Sequence, residues 1–130
     1  MTPSLLAGAR IYLTEVDPGT GPLAGNVGLH VGDDPGLVRR RREALAHLIG
    51  RDIVWMDQTH STRVEALACV EGAPRLAGAS SNLEAPAPGE WGPVGADGIV
   101  IDARGWVGAP GLAVQTADYL PVVLAADGGS

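Results

Sequence analysis

The chain has 130 residues with nine Lys and Arg against fifteen Asp and Glu, a formal charge of −6, which disfavours nucleic-acid and acidic-membrane partners because surfaces that track phosphates are basic. Hydrophobic residues make up 45% and charged residues 18%, a balance that suits one folded domain over residues 1–130 and argues against disorder. Cys69 is the one cysteine, so no internal disulfide framework is available, and with neither a signal-peptide pattern nor a ~20-residue apolar run a cytoplasmic protein is expected.

Residues 10–16 alternate weakly and read as a first strand. Residues 25–32 (Gly-Asn-Val-Gly-Leu-His-Val-Gly) read as a short strand between glycines. A helix is then well punctuated: Asp33 or Asp34 can cap it, Pro35 suits its first turn and Gly50 can end it near Ile49. Leu37, Arg41, Leu45, Leu48 and Ile49 follow helical spacing, which predicts Leu45, Leu48 and Ile49 facing inward and Arg41 at the margin. The run Arg39-Arg40-Arg41-Arg42 then reads as a solvated helix face.

Residues 53–56 form a compact apolar strand, and residues 63–70 alternate as the next one. Residues 71–95 are rich in Gly, Pro, Ala and Ser and read as a long surface loop. Segments 97–102, 111–116 and 120–125 are β-prone. Several strands around one clear helix predict an α+β domain with a mixed or antiparallel sheet. The terminal Asp127-Gly128-Gly129-Ser130 is turn chemistry after an apolar strand, so a truncated part of a larger fold is expected, with an unpaired strand edge prone to self-association.

Two short motifs carry the chemistry. Gln58-Thr59-His60-Ser61 supplies an imidazole, and Gln115-Thr116-Ala117-Asp118-Tyr119-Leu120-Pro121 has the composition of a site loop. An isolated His beside a strand is usually structural. Cys69 sits on an alternating strand and reads as packing, and His30 and His47 read as face residues without chemical duty.

Taken in order, Asn26 through Pro35, Val38 through Arg42 to Leu45, Val54 through Ser61, Ala96-Asp97-Gly98-Ile99-Val100 and Ala113 through Leu124 closely resemble the YfiH family, also called laccase-domain or polyphenol oxidase proteins. The resemblance implies a zinc-dependent purine nucleoside phosphorylase that also deaminates adenosine, with purine nucleoside and phosphate as its ligands. In that family the zinc is held by a His in a Gln-x-His motif, a Cys in a Thr-Ala-Asp-Cys-Leu-Pro motif and a His in a later His-Ala-Gly-Trp-Arg-Gly segment. Carried over by position, the first ligand is His60, the second falls on Tyr119 instead of Cys, and the third lies past Ser130. A phenol with a pKa near ~10 is a poor zinc ligand beside a thiolate near ~8.5.

The resemblance also assigns a phosphate-binding role to Arg42, whose alternative is a solvent-facing helix charge, and a nucleoside contact to Asn26, whose alternative is a turn residue. Arg41 stands where the family has Asn. Asp118 either orients a catalytic ligand or bonds the turn backbone. Copper-dependent phenol oxidation, an older label of the family, is disfavoured because three His and one Cys are too few for several copper ions. Two readings follow: a purine nucleoside phosphorylase using His60, and a degenerate relative acting at most as a nucleoside-binding or interaction domain.

Overall fold

The computed structural model describes residues 4–6, 9–12, 35–115 and 122–125. In chain order these form an antiparallel hairpin of β1 (Ser4–Leu6) and β2 (Ala9–Ile11), then a helix α1 (Pro35–Ile49). The strands β3 (Ile53–Met56), β4 (Val64–Val70), β5 (Ala73–Leu76), β6 (Glu90–Val94), β7 (Gly98–Ile101) and β8 (Gly111–Leu112) follow. One sheet has the order β6-β3-β8 with both pairings parallel. A second has the order β5-β4-β7, antiparallel on one side of β4 and parallel on the other. The α+β expectation with mixed strand directions is therefore met.

All four side chains of β3 are buried, so this short apolar run is covered on both faces, as central strands of parallel sheets are. Val54 and Met56 join Leu67, Val94 and Ala96 in a core between the two sheets, with Leu76, Ile99 and Ile101 packed against it. Ile53 and Trp55 point the other way, toward Ala46, with Leu45, Ile49 and Ala113 alongside. The period of two along β3 thus sorts its residues between the second sheet and the helix.

The helix bounds match the sequence expectation, and its end is a Schellman motif: Arg51 N donates to Ala46 O at 3.1 Å and Gly50 N to His47 O at 3.2 Å, with Gly50 at φ 73°. The inward face differs by about one position. Val38, Arg42 and Ala46 are buried, an i, i+4, i+8 stripe, while Leu45 and Ile49 flank it and Leu48 is 60% exposed. At Ala46 the helix lies close to the residue before β6: a Cβ added to Gly89 would come within 3.0 Å of the Ala46 Cβ. Arg40 remains exposed, but Arg42 leaves the solvated face assigned to the arginine run.

The segment 71–95 is not one loop. Glu71-Gly72 closes the β4–β5 hairpin, and β6 begins at Glu90. Both strands were hidden by proline, which tolerates edge positions because its missing N–H costs no ladder bond there. Pro74 lies in β5 and Pro93 in β6, each at the edge of its sheet among the described residues. Elsewhere the expected strand at 97–102 is β7, and the one at 111–116 shortens to Gly111–Leu112. Residues 122–125 carry no strand, and Val122, Val123 and Leu124 are exposed. The expected strand at 25–32 lies outside the described residues.

Leu45→Ala should lower stability by about 1–2 kcal/mol, because a half-buried leucine loses part of its packing, and Leu48→Ala by less than about 0.5 kcal/mol. Urea denaturation of the two variants checks the register of the helix face.

Candidate functional site

The chain leaves β3 at Asp57, whose N–H donates to Val94 O at 2.7 Å, and enters the first motif. Gln58 behaves as an extra rung of the sheet: its Nε2 donates to Gln115 O at 3.0 Å, and its Oε1 accepts from Gln115 N at 2.9 Å. This exchange joins the beginnings of the two motifs singled out in the sequence. The next three residues wrap the carboxylate of Asp97. Thr59 N and Ser61 N donate to Oδ1 at 3.1 and 3.0 Å, Ser61 Oγ donates to the same oxygen at 2.7 Å, and His60 N donates to Oδ2 at 3.0 Å. Successive N–H groups converging on one anion form a nest.

His60 pays for that geometry with φ 61°, a left-handed conformation that costs a non-glycine residue roughly 1–2 kcal/mol. Its side chain is exposed. The Asp97 carboxyl is held down to about 2, first by the Ser61 hydroxyl and Ser61 N–H, with smaller help from the Thr59 and His60 N–H groups and partial opposition from desolvation.

A second feature lies between α1 and the β6-β3-β8 sheet. Glu90, 2% exposed, accepts from Arg42 Nη1 at 2.9 Å and from Arg39 Nη1 at 3.0 Å on both oxygens. Arg42, 5% exposed, also lays its guanidinium over Trp55 with Cζ 3.9 Å from the ring centroid, a cation–π contact strengthened by desolvation. Burial lowers the Arg42 pKa while Glu90 raises it in part; a guanidinium nonetheless stays charged. These residues line a cavity of about 210 Å³ together with Met56, Trp91 and Gln115, and the exposed Asp57 sits at its rim.

The wall on the β6 side depends on a register shift. Ile53 and Val54 face Glu90 and Trp91, but Met56 faces Val94, so β6 carries one extra residue there. Gly92 sits in this bulge at φ 109°, and a Cβ on it would lie 2.7 Å from Trp55 O. Only glycine permits that approach.

Of the residues nominated from sequence, Arg42 lines the cavity, and His60 lies on the loop that leaves it, outside the lining set. Asn26, Asp118 and Tyr119 lie outside the described residues. No group of three His, Cys, Asp or Glu side chains that could hold a metal is present among the described residues. Sequence reading missed Glu90, which stood in an apparent loop, and gave Asp97 and Gln58 no task. The signal for the buried pair was Arg42 at i+4 from Val38 and i−4 from Ala46, an arginine centred on a stripe of small apolar residues.

The chain belongs to the laccase-domain (YfiH) family: the family described as multi-copper polyphenol oxidoreductase laccase matches residues 20–130. It is 36% identical over 103 residues to a purine nucleoside phosphorylase of Streptomyces coelicolor, covering 77% of this chain and 34% of the relative. A purine nucleoside phosphorylase of Corynebacterium glutamicum is 36% identical over 102 residues, covering 76% and 33%. One of Streptomyces griseus is 38% identical over 103 residues, covering 77% and 34%. The chain thus spans about a third of the length of these curated relatives. No solved structure matches it.

Because the folded pKa of Asp97 is about 2 and an unfolded aspartate titrates near ~3.9, the nest contributes stability that is complete above pH ~4 and lost as pH falls through about 2. The amide resonances of Thr59, His60 and Ser61 should therefore titrate together with a midpoint near 2 in an NMR pH series. A common midpoint near ~4 would mean that the nest does not hold the carboxylate.

Proposed function

We propose that this chain forms part of a purine nucleoside phosphorylase. One observation carries the reading: relatives bearing that name align with about three-quarters of the chain. The family match also includes Asn26, Arg42, His60, Asp118 and Tyr119. In phosphorolysis an oxygen of inorganic phosphate bonds to ribose C1′ as the bond from C1′ to the purine nitrogen breaks, and the purine leaves with a proton. The chain's part is to place positive charge where the phosphate sits. Arg39 and Arg42 line the cavity with Glu90 and Asp57, two guanidinium groups beside two carboxylates. Phosphate binding there is supported by the half-exposed Arg39, whose guanidinium can turn to an incoming anion, with Arg42 behind it. Asn26 and Asp118 are proposed as a nucleoside contact and a catalytic orienting residue.

Zinc is the finer part of the reading, with His60 as its first ligand and position 119 as the second. Tyr119 offers a neutral phenol there, so the 130-residue chain is expected to hold zinc weakly. Metal analysis after dialysis should give far less than one zinc per chain. Stoichiometric, chelator-resistant zinc would contradict this. The same tyrosine favours the second reading, a non-catalytic nucleoside-binding relative.

Three proteins separate the two readings: the 130-residue chain, its Tyr119→Cys variant, and a chimera carrying Cys at 119 that continues into the corresponding C-terminal part of the Streptomyces coelicolor relative. Release of free purine from inosine, guanosine and adenosine in phosphate buffer should occur in the chimera alone. Inosine formed from adenosine would report deamination in the same assay. His60→Ala in the chimera should lower turnover at least about 100-fold. Equal turnover in all three proteins would overturn the role given to position 119, and no turnover in any would favour the non-catalytic reading.

A further inference from the structure

Asp97 belongs to a motif that the proposed reaction leaves without a task, yet its carboxylate is heavily engaged. Oδ1 accepts from Thr59 N, Ser61 N and Ser61 Oγ at 3.1, 3.0 and 2.7 Å, and Oδ2 accepts from His60 N at 3.0 Å. Four donors on two oxygens leave little lone-pair capacity for binding a metal or taking a proton from a substrate. We infer that Asp97 is the positioning residue for His60, fixing the left-handed backbone of residue 60 and thereby the direction in which its imidazole leaves the end of β3.

Asp97 is a firm post for this task. It follows Ala96, which is 1% exposed, and stands directly before β7. Its own N–H donates to Arg63 O at 3.0 Å, which already ties the start of β7 to the start of β4. Joining those strands therefore does not require the carboxylate, which reaches instead to residues 59–61. Gln58 is held from the other side by its two bonds to Gln115. His60 is thus pinned between a rung of one sheet and a side chain of the other. A non-glycine residue at φ 61° would relax toward the ordinary β or helical regions without such over-determination.

The role of Asp97 in turnover rests on the phosphorylase reading, but its effect on His60 does not, and the test separates the two. In Asp97→Asn the side-chain carbonyl can replace Oδ1 and keep three of the four bonds. The amide nitrogen then faces the His60 N–H, donor against donor. Hydrogen exchange and imidazole resonances of the 130-residue chain should report this selectively. Asp97→Asn should speed exchange of the His60 amide at least about tenfold and move its ring resonances toward random-coil positions, with His47 and the β4 and β7 amides unchanged. Asp97→Ala should extend the loss to Thr59 and Ser61. In the chimera described above, Asp97→Asn should lower kcat about tenfold or more with KM changed less than about threefold.

Unchanged His60 signals in Asp97→Asn would overturn the inference. So would equal loss of protection throughout β4 and β7, which would make Asp97 a merely structural group. If the chimera with Asp97 intact shows no turnover, the phosphorylase reading fails, and the NMR comparison decides the positioning role by itself.

Discussion

A single carboxylate, that of Glu90, holds the helix to the sheet with charge where packing alone would be expected. It lies at the start of β6, 2% exposed, and takes guanidinium donors from two successive turns of α1. An isolated buried charge is costly, so buried Arg42 requires Glu90, and Glu90 requires at least one of its two guanidinium partners. The consequences run in both directions. Toward the helix, the pair explains why the buried stripe is Val38, Arg42 and Ala46 and why Leu48 faces water. Toward the sheet, it sets Arg42 flat on Trp55, and with Trp91 and Gln115 it lines the cavity at this face.

The other face of β3 supplies position in a different way. Val54 and Met56 lock it against the second sheet, so the end of the strand is a fixed point from which the first motif departs. From there two hydrogen-bonded side chains take over. Gln58 extends the ladder to Gln115 through its side-chain amide, and Asp97 gathers the next three N–H groups. The imidazole is exposed, while the backbone that carries it is tied to both sheets.

Much of this was legible in the sequence because the local rules agreed. Proline at the helix start, glycine after its end and an unbroken apolar run at 53–56 each specify one structure. The two Gln-Thr motifs were recognisable as a pair, and the Gln58–Gln115 exchange gives that pairing a physical form. What was hidden depended on long-range partners. Glu90 looked like a loop residue because its strand contains glycine and proline in a bulged edge position. Arg42 looked solvated because four consecutive arginines suggest a surface, and the carboxylate that buries it is 48 residues away. The task of Asp97 could not be read from its own motif, since its partners lie 36 to 38 residues earlier.

The central claim is that Glu90 and Arg42 are one buried unit. Arg39 is half-exposed and can turn to water, whereas Arg42 cannot. Removing Glu90 therefore strands Arg42 beside another cation, while removing Arg42 leaves Glu90 with Arg39. A double-mutant cycle with Glu90→Leu and Arg42→Met, followed by urea denaturation, tests this most directly. Glu90→Leu should cost about 3–5 kcal/mol, Arg42→Met less, and the double variant about as little as the milder single, a coupling of roughly 3–5 kcal/mol. Additive losses, with the double variant as unstable as the sum of the singles, would contradict the account.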